Sequence, residues 1–103
     1  MKLESNPEKQ EITMRGFIGD YEDGISADQF RDALAEHAGQ DVTIYLNSEG
    51  GSVTDGLSMF NAIANHDGAV TVHIDALAAS IATVLAVAAS SVKINSNGKF
   101  MIH

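Results

Sequence analysis

Cysteine and tryptophan are both missing from this chain of 103 residues, and proline occurs once, at Pro7. Without cysteine there is no disulfide framework, no thiol nucleophile and no thiolate metal site, although the redox compartment stays undetermined. Basic residues are scarce: 6 Lys and Arg stand against 14 Asp and Glu, for a formal charge of −8. A surface of that sign repels phosphates, so neither nucleic acid nor an anionic membrane is expected as a partner. The apolar stretch from Ala76 to Ala89 carries no charge but falls short of the roughly 20 residues a membrane-spanning helix needs. No Asp or Glu follows Asp75. The N-terminal residues are polar and lack the apolar centre of a signal peptide, so residues 1–10 are expected as a disordered leader of a cytoplasmic protein. Residues 11–103, with 45% hydrophobic content in the whole chain, are enough for one domain with a modest core.

What is present alternates between two periodicities. Glu11 to Gly19 reads as a strand, with Ile12, Met14, Phe17 and Ile18 as its apolar positions. Ser26 with Gln29 three residues later forms a capping-box pattern, and Phe30, Ala33, Leu34 and His37 recur at helical spacing until Gly39. Val42 to Leu46 is a β-branched apolar run, expected as a buried strand feeding the loop Asn47-Ser48-Glu49-Gly50-Gly51-Ser52. A second helix follows, with Val53, Leu57, Phe60, Ile63 and Ala64 as its expected inner face. Val70, Val72 and Ile74 alternate with Thr71, His73 and Asp75 in a third strand, and Ser80 to Ala89 reads as a third helix without a polar face. That helix must be buried on all sides or covered by a neighbouring subunit. Val92-Lys93-Ile94 and Phe100-Met101-Ile102, separated by Asn95-Ser96-Asn97-Gly98, are expected as two closing strands joined by a turn. Strand and helix in alternation predict an α/β fold on a largely parallel sheet.

Two strand-to-helix junctions attract chemistry. Paired glycines at Gly50 and Gly51 let backbone amides face a ligand, as at sites for anions or developing oxyanions, although a plain turn with Ser52 capping the next helix accounts for the same letters. The loop has neither the Gly-Lys pair of a phosphate loop nor the dinucleotide glycine spacing. Ser80 lies at the second junction, where a nucleophile gains from a tight turn, and where a helix-capping serine is the commoner occupant. A hydroxyl nucleophile needs a base. His37 is expected as a partly exposed cation in the last turn of a helix and His66 as a structural residue at a helix end. His73 stands on the face opposite Val72 and Ile74, and His103 ends an apolar strand. No two histidines have i, i+4 spacing with a carboxylate partner in register, so no metal site is expected. Both junctions fall beyond the carboxyl ends of strands, where ligands of α/β sheets gather.

Asn47-Ser48-Glu49-Gly50-Gly51-Ser52-Val53, then Ala78-Ala79-Ser80, then Met101-Ile102-His103 resembles, in order and interval, the ClpP family of serine peptidases, and most of all its phage and prophage head-maturation branch. The resemblance runs from about Ile12 to His103 and implies the ClpP/crotonase fold, homo-oligomeric rings around a proteolytic chamber, and no cofactor. It implies Ser80 as nucleophile, His103 as general base, the N–H groups of Gly51 and Ile81 as oxyanion hole, and Gly50, Ser52 and Val53 along the substrate strand. Peptides or proteins would be the substrates, with an ATPase chaperone or capsid proteins as partners. Glu49 stands where the family usually has proline, and Ala76 and Ala82 where chaperone-linked members often have glycine. The family's aspartate lies well beyond the histidine, so the chain reads as the N-terminal part of such a peptidase, expected to be inactive or nearly so, since loss of that acid costs on the order of 10⁴ in turnover. Two alternatives carry different chemistry: a crotonase-like acyl-CoA enzyme using the paired amides without Ser80, and a non-catalytic assembly module.

Overall fold

The computed structural model of the chain describes residues 3–19, 24–94 and 99–101, with the backbone alone described for residues 76–77 and 99–101. In chain order the elements are β1 (Leu3–Asn6), β2 (Glu11–Arg15), β3 (Phe17–Ile18), β4 (Gly24–Ile25), α1 (Ala27–Ala35), β5 (Val42–Ser48), α2 (Val53–Ala64), β6 (Val70–Ala79), α3 (Ala82–Ala88), β7 (Ser91–Ile94) and β8 (Lys99–Met101). The expected α/β class is present. The main sheet has the order β1-β2-β5-β6-β7, with β8 also on β6, and β3 and β4 form a separate parallel pair. Among the described residues only the β1–β2 pairing is antiparallel in the main sheet.

Period-two alternation sets which side of the sheet faces the core. Ile12 and Met14 of β2, Val42, Ile44 and Leu46 of β5, and Val70, Val72 and Ile74 of β6 are all buried, and cluster with Phe30 and Leu34 of α1, Met59 and Ile63 of α2, and Leu85 of α3. The opposite face carries Thr13, Tyr45, His73 and Lys93 in register on four neighbouring strands, so β5 is buried on one side and not on both. Tyr45 stacks at a tilt on His73, with centroids 5.2 Å apart, and its hydroxyl donates to Glu11 Oε2 at 3.2 Å. That bond, then burial, then the charges of Glu11 and Asp75 hold the phenol above its ordinary pKa, because each favours the neutral form.

The helix α1 begins with the expected capping box: Ser26 Oγ accepts from the Gln29 N–H, and the Ser26 N–H donates to Gln29 Oε1. In α2 the inner face is Gly56, Met59 and Ile63, whereas Val53 and Leu57 are 59% and 48% exposed and Ala64 is exposed too. The expected face was rotated because Val53 and Leu57 satisfy helical spacing equally well, and a glycine gives no hydrophobic signal even where another element packs on it. The two expected closing strands are present and extend the parallel sheet: β7 pairs with Thr71 to Ile74 and β8 with Leu77 to Ala79, both parallel to β6, while the turn expected at Asn95 to Gly98 lies outside the described residues.

Residues 3–10, expected within a leader, form β1 and the turn into β2. The signal was tertiary: Ser5 Oγ lies 2.9 Å from Nε2 of His37, 32 positions away. His37 is itself fully buried, not the partly exposed cation expected from its place after α1, and its Nδ1 has no partner among the described residues. Among the described residues no helix is long and apolar enough to cross a membrane.

Two expectations follow. Met59→Ala should lower the unfolding free energy by about 2–5 kcal/mol and Leu57→Ala by about 0.5 kcal/mol or less in urea titrations, reversing the order that helical spacing suggests. A raised phenol pKa means that the folded state holds this proton more tightly than the unfolded state does. The stability it contributes is therefore present below the ordinary tyrosine range and lost as pH rises through the folded value, and Glu11→Gln should shift the Tyr45 absorbance titration to lower pH.

Candidate active site

The carboxyl ends of β5 and β6 lie side by side and carry the two junctions. From Leu46 to Ser48 the strand β5 advances two residues, while β6 advances four between their partners Ile74 and Ala78. This irregularity bulges β6 immediately before its last residues, and bulges commonly re-aim a strand end beside a site. At that end Ser80 is exposed and has φ +55, a left-handed conformation that non-glycine residues seldom adopt. Strain of this kind persists only where the surroundings impose it. Ser80 does not cap the helix: the N-cap of α3 is Ile81, without a side-chain cap bond, and the helix runs over Ala82–Ala88 instead of starting at Ser80.

The glycine loop is pressed against this turn. A Cβ built on Gly50 would lie 2.8 Å from Ser80 Cβ, 2.9 Å from the Ala79 carbonyl oxygen and 3.4 Å from the Ile81 nitrogen. With φ +103 at Gly50, both space and backbone conformation require glycine. Gly51 approaches the other side, where a Cβ would lie 2.1 Å from the Ile18 carbonyl oxygen. The Ile18 N–H donates to Gly50 O at 2.9 Å, and the Ser52 N–H donates to Ile18 O at 2.7 Å. In a parallel bridge of this pattern the middle residue turns its own groups the other way, so the N–H and C=O of Gly51 point away from β3.

The extended strip stops at Ser52, whose Oγ accepts from the Asp55 N–H, and Val53 is the first residue of α2. The helix-cap reading of this loop is therefore met at Ser52. Sequence reasoning missed three braces. Ser48 Oγ accepts from the Gly50 N–H at 3.0 Å, supplying local rigidity behind the exposed Glu49; a serine two residues before a glycine is the legible signal for such a turn. Asp55 Oδ2 accepts from the Ala27 N–H at 3.0 Å and so ties α2 to the start of α1. Ile18 braces the loop through its backbone, which no side-chain pattern records.

The structure thus brings Gly50, Gly51, Ser80 and Ile81 into one place. His103 lies outside the described residues. The strand β8 runs parallel to β6 with Met101 opposite Ala79, one residue before Ser80. His66 is structural, with Nε2 2.7 Å from the Gln40 carbonyl oxygen, and His73 stays on the far face of the sheet beside Tyr45.

A family model described as Clp protease matches residues 17–103. The chain is 33% identical over 93 residues to the ATP-dependent Clp protease proteolytic subunit 3, chloroplastic, of Arabidopsis thaliana, covering 84% of this chain and 30% of that protein. A ClpP1 mutant from Listeria monocytogenes superposes with a TM-score of 0.79 at 23% identity, covering 94% of this chain and 57% of that one, which shows a common fold. The chain spans less than two thirds of the length of either relative. A relative named as chloroplastic lends no support to the expected cytoplasmic location. The glycine strip, the left-handed serine and the strand β6 between them all fall inside the matched segment, and the chain belongs to the Clp protease family.

Proposed function

We propose that this chain carries the nucleophile and oxyanion hole of a serine endopeptidase that cleaves peptide bonds through an acyl-enzyme on Ser80. The observation that carries the reading is the contact of Gly50 with Ser80 and the Ile81 nitrogen, made at a serine held in the left-handed region. A ligand-binding loop and a strained, exposed hydroxyl share one corner.

In this mechanism the Ser80 hydroxyl attacks the scissile carbonyl carbon and gives its proton to His103, and the oxygen that gains charge accepts from the N–H groups of Gly51 and Ile81. The direction of the Gly51 N–H, away from β3, and the register of β8 beside the end of β6 support these roles. His103 then protonates the leaving amine, and water repeats the sequence to release the acyl group. A substrate strand would lie along Gly50 to Ser52, on the edge that Ile18 leaves open, with Val53 exposed at its end.

The assembly proposed is a homo-oligomeric ring, in line with apolar side chains left on the surface: Val87 is 71% exposed, Ile94 50% and Val92 42%. Val87 is where the apolar third helix meets solvent in one chain. Partnership with an ATPase chaperone is proposed from the name of the curated relative, which is ATP-dependent. A role in capsid maturation rests on the sequence resemblance alone.

Prolonged incubation with a fluorophosphonate, read by peptide mass spectrometry, should place the adduct on Ser80, and Ser80→Ala should remain unmodified. An adduct absent from the parent, or found on another residue, overturns the nucleophile assignment. Gly50→Ala should reduce the labelling rate by about 10²-fold or more, because the new methyl group meets Ser80 Cβ and must displace either the strip or the nucleophile.

A further inference from the structure

The peptide unit between Ser80 and Ile81 is held at its carbonyl end, opposite the Ile81 N–H. The Ser80 carbonyl oxygen accepts two bonds from one residue: the Thr83 hydroxyl at 2.7 Å and the Thr83 N–H at 3.1 Å. Thr83 is 4% exposed, so its hydroxyl has exchanged water for this carbonyl. The peptide bond is planar and trans, so its C=O and N–H point in opposite directions, and fixing one fixes the other. A second contact steadies the same unit. The Ile81 side chain is seated on α2 where Gly56 has none: a Cβ there would lie 2.3 Å from Ile81 Cγ1. The Ile81 N–H is thereby aimed from behind by Thr83 and from the side by Gly56.

We propose that Thr83 is a positioning residue for the oxyanion hole: its buried hydroxyl clamps the Ser80 carbonyl and so sets the direction in which the Ile81 N–H points. This deepens, and rests on, the reading of Ser80 as nucleophile. A threonine hydroxyl that bonds back to a carbonyl three residues earlier often serves only the helix. Here the carbonyl belongs to a left-handed residue before the helix begins, and its peptide partner is the donor needed for chemistry.

The test uses the full chain, with fluorophosphonate labelling of Ser80 followed by mass spectrometry and the Ile81 amide followed by NMR on ¹⁵N-isoleucine protein. Thr83→Val keeps the shape and removes the hydroxyl. It should label roughly tenfold slower and move the Ile81 amide resonance, whereas Thr83→Ser should stay within about twofold of the parent and leave the resonance in place. Should Thr83→Val lose a cooperative thermal melt, Thr83→Ala carries the same expectations. Parental labelling by the valine variant, an unmoved Ile81 resonance, or equal loss in the serine variant each overturns the proposal. A parent that never labels overturns the nucleophile reading instead, and the resonance comparison then decides the hold of Thr83 on Ile81 by itself.

Discussion

Two backbone segments from different parts of the chain meet at Gly50 and Ser80 with no room for a side chain between them, and the surrounding fold is what holds them there. Each segment has positive φ at the contact, Gly50 at no steric cost and Ser80 at some. The Ser80 conformation is one that an isolated peptide would seldom hold. The loop is restrained on one side by Ile18 and from within by Ser48, and the turn is restrained by Thr83 and by the seat of Ile81 on α2. Removing any brace leaves the residues present and their mutual geometry relaxed, which matters because misplacement by about 1 Å can cost a reaction about 10²-fold.

The strand β6 is the spine of this arrangement. It pairs with β5 on one edge and with β7 and then β8 on the other, and its irregular stretch before Ala78 sends the last residues toward the glycine loop. Its buried residues lock the sheet to the helices, and its polar residues Thr71 and His73 look the other way. One strand therefore joins core, site and an uncovered polar face, so the two sides of the sheet answer to different demands.

Much of the fold was legible because local chemistry and tertiary packing agreed. The capping box at Ser26 and Gln29 and the alternation from Val70 to Ile74 each have one structural meaning, and each is found. The failures share a cause. Leu57 and Met59 are both apolar, and only the packing of α2 on α3 and α1 decides which is buried. Residues 3–6 look like a polar tail until β2 and His37 provide partners.

By itself the sequence determined the class of fold, the acidic surface, the absence of thiol chemistry and the candidates Gly50, Gly51, Ser80, Ile81 and His103, because composition, periodicity and motif are local properties. Tertiary structure alone decided that Gly50 touches Ser80, that Ser80 is left-handed, that Ile18 turns the Gly51 N–H away from β3, and that Thr83 grips the carbonyl behind Ile81. Direction is the reason. A sequence names donors and acceptors, but where each points depends on contacts between residues about 30 positions apart, such as Ile18 with Gly51 and Gly50 with Ser80, and those exist only once the sheet has formed.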